Sequence, residues 1–288
     1  MFKTVLASVT GEGAGRSVLE TSLVLSRMFD ATVNCVHVHL DAKTMAGLMK
    51  ARPFTSDIFV EEQTHVLERD ARERLAQARS LFEAFCKDNK LNVASSDVQG
   101  PSFHWQEVPG IDTDETITRA RVCDVVVMGR DPESYTLGEE RIGAILMACG
   151  RPVLLVPDRA SNFLDGRIVV AWKDCAEAAR AVSAAGPMLA KAKEIVIVHA
   201  DETEKESAGI SAARLAENLR RYGGRVEVQE LPHDGRSASH RLRDSACEMN
   251  ADLMVMGGYG HSRLREFVFG GVTSDVIGGC AIPVLLFH

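Results

Sequence analysis

The chain has 288 residues, of which 45% are hydrophobic and 25% are charged, and its formal net charge is −7. This is the composition of an ordinary globular protein with enough apolar residues for a sizeable core. The negative balance argues against general nucleic-acid binding, which depends on a basic face that neutralises phosphates. No apolar run approaches the roughly 20 residues of a membrane span. The N-terminus leads straight into a strand without a separable signal peptide, so we expect a cytoplasmic protein that does not bind membranes.

The seven cysteines are an odd number and contain no C-x-x-C pair. This pattern indicates neither a disulfide framework nor a zinc site. Cys35 and Cys123 fall at apolar strand positions, and Cys149 and Cys280 recur just before two similar strands. We therefore predict that these four thiols pack in the core, in a reducing compartment.

In chain order, the first predicted elements are apolar strands at residues 4–8 and 32–38, followed by a long segment at 41–89. Within that segment, apolar residues at helical spacing predict an amphipathic helix over 61–87. Residues 43–59 could form a mobile lid or an interaction segment. The plainer alternative is a helix that only extends the cover of the sheet.

The second part of the chain repeats the first. Residues 123–129 match 251–257, residues 151–157 match 282–288, and residues 32–38 match 194–200. Residues 4–8 match 168–172, which puts Ser8 opposite Trp172. The chain therefore holds two homologous domains, residues 1–158 (the first half) and 166–288 (the second half), each within the usual domain size.

In the second half, apolar strands are predicted near residues 167–171, 194–199, 225–229, 252–256 and 283–287, with helices over 176–190 and 210–221. Strands that are apolar throughout and alternate with helices indicate a parallel sheet covered on both faces. Ligands of such open sheets bind outside the carboxyl ends of the strands, where the strand order reverses.

A glycine-rich loop follows one of these strand ends. Gly257, Gly260 and the pair Gly270-Gly271 precede a predicted helix. Glycines let a backbone turn tightly and approach an anion, and a helix start adds free N–H groups. The spacing is neither the dinucleotide fingerprint nor a P-loop. Loop glycines often mark plain turns, but the position at a strand end favours a phosphate site.

Together, the Met-Gly-x2-Gly loop, the Gly-Gly-Val-Thr helix start, the Pro-Val-Leu-Leu terminal strands and the strand openings 5–8 and 169–172 resemble the universal stress protein family in its tandem two-domain form. The resemblance covers nearly the whole chain. It implies an α/β fold of two doubly wound parallel sheets, each five-stranded with order 3-2-1-4-5, of the adenine nucleotide alpha hydrolase-like class. It also implies ATP as the ligand of a subset of members, which could carry Mg²⁺.

The resemblance places the base between the ends of the first two strands of the second half and the phosphates on the loop. Two positions depart from the family pattern, because Gly271 stands where many members have Ser and Lys173 where many have Asp. A Thr273 hydroxyl could replace the missing serine. The predicted nucleotide-binding residues are Ala171, Trp172, Lys173, Ala200, Met256, Gly257, Gly258, Gly260, His261, Arg263, Gly270, Gly271, Val272 and Thr273.

The corresponding loop of the first half differs. Glu139 and Glu140 fall opposite Gly270 and Gly271, and the loop is three residues shorter. Two carboxylates at the phosphate position would repel a nucleotide. The first half is therefore predicted not to bind one.

The sequence offers little for catalysis, since no acidic pair lies near the loop to hold the Mg²⁺ that phosphoryl transfer needs. The leading hypothesis is a stress-response protein that binds ATP in its second half and signals through conformation or an unknown protein partner. The alternatives are a non-nucleotide adaptor that uses residues 41–89, and a slow ATP hydrolase. The terminal strands of the halves are edges, and we expect them to pair within the chain as a pseudo-dimer.

Overall fold

Strands and helices alternate along both halves, as the apolar runs predicted. The computed structural model describes residues 1–11, 13–41, 43, 44, 47, 57–91, 101–130, 135–158, 164–200, 207–231, 234–258 and 271–288. The elements of the first half are β1 (Thr4–Ser8), α1 (Gly15–Phe29), β2 (Thr32–His39), α2 (Asp57–Asp88), β3 (Ser102–Pro109), α3 (Asp112–Ala120), β4 (Val125–Gly129), α4 (Tyr135–Ala148) and β5 (Val153–Val156). Those of the second half are β6 (Arg167–Ala171), α5 (Ala176–Leu189), β7 (Glu194–Ala200), α6 (Ser207–Leu219), β8 (Arg225–Leu231), α7 (Ala238–Glu248), β9 (Leu253–Gly257), α8 (Gly271–Gly279) and β10 (Val284–Phe287).

The ten strands form one sheet in the order β3-β2-β1-β4-β5-β10-β9-β6-β7-β8. Within each half the neighbouring strands are parallel and follow the order 3-2-1-4-5, which confirms the predicted fold class. The halves meet through β5 and β10, which pair antiparallel with Leu154 opposite Leu285. This is the edge pairing that the sequence predicted. The division into separate domains at 158 and 166 stays a prediction.

Both faces of the sheet carry a hydrophobic core, as the fully apolar strands require. Helices α1, α2, α5 and α6 cover one face, and α3, α4, α7 and α8 cover the other. Leu154 and Leu285 belong to the first core, whereas Leu155 and Leu286 belong to the second. Each core therefore runs across the join between the halves.

The predicted amphipathic helix is α2, and only its C-terminal part covers the sheet. Ala78, Phe82 and Phe85 are buried at helical intervals. Further toward the N-terminus, Val66 and Leu67 are 47% and 38% exposed. The predicted lid at 43–59 lies largely outside the described residues. No helix in the described part of the chain is long and apolar enough to cross a membrane.

The cysteines predicted to pack in the core do so. Cys35, Cys123, Cys149 and Cys280 are all buried. Burial raises the pKa of Cys35 well above its ordinary value, and the neighbouring Cys86 raises it further. Burial alone raises the pKa of Cys86 to about 11. These thiols act as small apolar groups.

Candidate functional site

The strand order of the second half reverses between β6 and β9, which is where open parallel sheets bind their ligands. Ala171, the last residue of β6, is the register partner of Met256 on β9. Both side chains are buried, with 9% and 5% exposed. The structure therefore brings these two predicted contact residues side by side at the carboxyl ends of the strands.

Trp172 continues the chain beyond β6 and is fixed by two hydrogen bonds. Its backbone N–H donates to the Val198 carbonyl at 2.8 Å, and its indole N–H donates to Ser211 Oγ on α6 at 3.1 Å. The predicted contact Ala200 ends the neighbouring strand β7. Trp172 is therefore held over the ends of β6 and β7, while Lys173 beside it is exposed to solvent.

Gly257 has a packing role that the sequence did not indicate. A Cβ at this position would lie 2.6 Å from the Ala178 backbone nitrogen and 2.7 Å from the Glu177 carbonyl carbon. Gly129, its counterpart in the first half, would meet Ala14 Cβ at 2.4 Å. In both halves the end of the fourth strand touches the helix that follows the first strand, so close helix packing suffices to explain this glycine.

Gly258 faces the other half of the molecule. Its backbone N–H donates to the Phe287 carbonyl at 2.8 Å, and its carbonyl oxygen lies 3.1 Å from His288 Nδ1. A Cβ on Gly258 would meet Leu146 Cδ2, from α4, at 2.6 Å. The terminal strand therefore already uses this amide, and the predicted contact of Gly258 with the nucleotide stays a prediction.

The remaining loop residues divide into two groups. Gly271 is the first residue of α8, as the glycine pair predicted. Val272 is half-buried, and Thr273 is buried, with 6% of its surface exposed. The burial of Thr273 removes its side chain from solvent, so its predicted contact with phosphate stays a prediction. The other predicted loop contacts lie outside the described residues: Gly260, His261, Arg263 and Gly270.

The equivalent crevice of the first half is bridged by Arg141. From α4, its guanidinium Nη2 donates to Ser8 Oγ at 2.9 Å, and its Nε forms an ion pair with Asp112 at the start of α3. Ser8 is the last residue of β1 and is 8% exposed. One arginine thus ties the helix after the fourth strand to the end of the first strand.

The carboxylates that the sequence singled out in this half have other positions. Glu139 Oε2 accepts a hydrogen bond of 2.7 Å from Ser274 Oγ on α8, and Glu140 is exposed. Glu139 therefore faces the second half. The predicted repulsion of phosphates by these two residues gives way to closure of the crevice by Arg141.

The strand registers correct the repeat alignment by one residue. Ser8 pairs with Met128, and Ala171 pairs with the corresponding Met256, so Ser8 is equivalent to Ala171 and not to Trp172. Counted back from the matching helix ends at 148 and 279, Arg141 is equivalent to Val272. Both members of the bridge are thus replaced by apolar residues in the second half. The sequence contains both replacements, but the one-residue error in the repeat alignment put Ser8 opposite Trp172 and so concealed one of them.

A histidine recurs in the second strand of each half, as His37 and His199, and the two have different surroundings. His37 Nδ1 lies 2.8 Å from the Val9 carbonyl, and its ring stacks on Trp105 with centroids 6.3 Å apart. These contacts give His37 a structural role. His199 is as deeply buried, with 5% exposed, yet its Nδ1 has no hydrogen-bond partner among the residues that the structure describes. It is a buried polar group near the ends of β6 and β7.

Metal ligation and acid–base catalysis gain no support from the described ranges. They contain no group of three or more His, Cys, Asp or Glu side chains that could hold a metal ion. Asp275 Oδ2, on α8, accepts a hydrogen bond of 2.5 Å from Ser239 Oγ. His240 lies at the start of α7, with Nδ1 2.6 Å from Ser237 Oγ.

Comparison with known proteins finds relatives in sequence and in structure. Residues 166–288 match the sequence model of the universal stress protein family. The universal stress protein Slr1230 of Synechocystis is 28% identical over 172 residues, which span 57% of this chain and 58% of that protein's length.

Two solved structures match nearly the full chain. A universal stress protein from Archaeoglobus fulgidus is 17% identical, with a TM-score of 0.66 and coverage of 99% of this chain and 96% of its own. A functionally unknown protein from Pseudomonas aeruginosa is 13% identical, with a TM-score of 0.58 and coverage of 99% and 92%. At these identities the likeness shows the fold alone. The second half of the chain thus matches the universal stress protein family, and the chain over its whole length shares the fold of these two structures.

Proposed function

We propose that the second half binds an adenine nucleotide, ATP, at the carboxyl ends of β6, β7 and β9, and that the first half does not. The observation that carries the proposal is the asymmetry of the two crevices. Arg141 spans the crevice of the first half to Ser8, whereas the equivalent positions hold the apolar residues Val272 and Ala171. Apolar side chains at these two positions cannot form this bridge.

The residues present fit the phosphate end of a nucleotide. The first N–H groups of α8, from Gly271 onward, have no carbonyl partner within the helix, and the helix dipole favours an anion there. The exposed Lys173 can add positive charge. Without an acidic cluster among the described residues, Mg²⁺ would be held chiefly by the nucleotide's own phosphates.

Calorimetric titration of the full chain with ATP and MgCl₂ tests this proposal. We expect one nucleotide per chain and a change in the fluorescence of Trp172, which lies over the proposed base position. Val272→Arg introduces the arginine of the first half and should abolish binding, whereas Val272→Leu, which adds bulk without charge, should retain it. Absence of heat at millimolar ATP, or unchanged binding by Val272→Arg, contradicts the proposal.

One observation favours a second candidate, an adaptor. The exposed Val66 and Leu67 lie on the part of α2 that buries little of its surface. In that case α2 would recruit the protein partner, and the sheet would be only a scaffold. Mass spectrometry of ligand released from freshly purified protein separates the candidates. ATP supports the nucleotide-binding function, ADP or AMP points to slow hydrolysis, and no nucleotide favours the adaptor.

A further inference from the structure

A cavity of about 220 Å³ lies between the two halves, at the carboxyl ends of β4 and β5. Glu139 and Ile142 of α4 line one side, and the last turn of α8, residues 277–279, lines the other. Arg130 and Asp158, which follow β4 and β5, also line it. The proposed nucleotide site lies instead at β6, β7 and β9, so this cavity is a separate feature.

The pseudo-symmetric position of the molecule is filled. There Leu146 packs so closely over Gly258 that an added Cβ would lie 2.6 Å from Leu146 Cδ2. Arg130, which lines the cavity, is the residue of the first half that corresponds to Gly258 in the second half. Across from it, the pair at 278–279 is Gly-Gly, whereas the matching pair at 147–148 is Met-Ala. The cavity thus exists because the residues at these positions differ between the two halves.

Arg130 supplies positive charge on the lining of this cavity. Its Nη2 donates to the Ile282 carbonyl at 3.1 Å, while its Nε is buried and has no acceptor among the residues that the structure describes. Burial is the largest influence on Arg130 and lowers its pKa. A guanidinium remains charged in proteins. Its planar guanidinium has five N–H donors, and a carboxylate can accept hydrogen bonds from two of them together.

Acidic groups stand on the same lining. Asp158 is exposed at the cavity, and Glu139 is held in place by the hydrogen bond from Ser274 Oγ. Carboxylates beside an arginine suit a ligand that carries a donor group as well as an anionic one. The volume equals that of about seven waters at roughly 30 Å³ each, which matches a molecule of amino-acid size.

We propose that this cavity binds a small organic carboxylate that also carries an amino or hydroxyl group. The ligand's carboxylate accepts hydrogen bonds from Arg130, and its amino or hydroxyl group donates to Asp158 or Glu139. Because α4 and α8 come from different halves, the bound molecule bridges the halves. The site goes beyond the proposed nucleotide function and does not depend on it.

Calorimetric titration of the full chain with L-serine, L-glutamate and L-lactate tests the proposal, with acetate and inorganic phosphate as comparators. We expect at least one of the first three to bind with a Kd below about 1 mM and at least tenfold more tightly than either comparator. Arg130→Lys keeps a donor for the Ile282 carbonyl but lacks the planar guanidinium that can donate two hydrogen bonds to one carboxylate, and should weaken binding at least tenfold. Gly278→Met restores the side chain of the other repeat and should abolish it, whereas Met147→Ala should leave it unchanged.

Circular dichroism of each variant checks the fold without reference to nucleotide. The proposal is overturned if none of the three probes binds at 10 mM (about 2.7 kcal/mol of binding free energy). It is also overturned if acetate or phosphate binds as tightly as the best probe, or if folded Arg130→Lys binds like the wild type.

Discussion

Arg141 Nη2 on α4 donates a hydrogen bond of 2.9 Å to Ser8 Oγ at the end of β1, although the two residues are 133 positions apart in the sequence. The same guanidinium pairs with Asp112 at the start of α3. Three elements of the first half are therefore held together, whereas the second half has apolar side chains, Val272 and Ala171, at the positions equivalent to Arg141 and Ser8. The first half thus has a stabilising contact at the crevice that corresponds to the one where we propose that the second half binds a nucleotide.

Replacing Arg141 by Met should lower the free energy of unfolding by about 1–3 kcal/mol, because Asp112 and Ser8 lose a charged, partly buried partner. Nucleotide affinity of the second half should not change. Urea titration measures the stability, and Arg16→Met provides the control. Arg16 forms an exposed pair with Glu20, and such pairs contribute about 0–1 kcal/mol. Equal effects of the two substitutions would show that the bridge has no special role.

Gly257→Ala should destabilise the protein by about 1–3 kcal/mol, because the new Cβ would overlap the backbone of residues 177 and 178. Gly129→Ala should behave similarly against Ala14. Gly209 on α6 has nothing within 4 Å of an added Cβ, so Gly209→Ala should be neutral or stabilising. Thermal unfolding of the three variants compares them. A stable Gly257→Ala that fails to bind ATP would assign this glycine to the ligand and not to packing.

Leu154 and Leu285 should show energetic coupling, because they face each other where the two halves pair. Each is fully buried, and Leu→Ala at such positions costs about 2–5 kcal/mol. In a double-mutant cycle of urea stabilities, contacting residues give interaction energies of about 0.5–3 kcal/mol. Independent effects that add within about 0.3 kcal/mol would argue against pairing of these strands in solution. Val122→Ala, at a position 79% exposed, controls for nonspecific effects.

Because of His37, the free energy of unfolding should decrease as the pH falls below 6.5. Burial lowers the pKa of His37 below its ordinary value of 6.5, although the bond to the Val9 carbonyl opposes this shift. The unfolded chain then binds a proton more readily than the folded one, so this contribution is present above pH 6.5 and is lost as the pH falls below that value. Each pKa unit corresponds to about 1.4 kcal/mol.

Urea titrations of wild type and His37→Gln between pH 5 and 8 measure the contribution of His37. The glutamine side chain of this variant can still donate to the Val9 carbonyl but does not titrate in this range. The stability advantage of the wild type over the variant should therefore shrink toward pH 5. A difference that stays constant with pH would show that His37 titrates equally in both states.

The sequence predicted the repeat, the elements and the parallel sheet because these depend on patterns that single segments carry, whereas the strand order came from the family resemblance. Residues 167–171 and 176–190 are apolar runs with strand and helix character, and the structure has β6 and α5 at these places. The pairing of β5 with β10 followed from the same reasoning, since two apolar edges in one chain favour mutual burial. The glycine pair likewise marked the start of α8 at Gly271.

What only the tertiary structure decided is which side chains meet. Strands buried on both faces lack a polar alternation, so nothing in residues 4–8 marks their register, and a one-residue slip put Ser8 opposite Trp172. The roles of Gly258 and Arg141 depend on Leu146 and Ser8, which are distant in sequence. A local pattern specifies the backbone that a segment adopts. The partner that fills or bridges a crevice is set by how segments from both ends of a half, or from both halves, pack together.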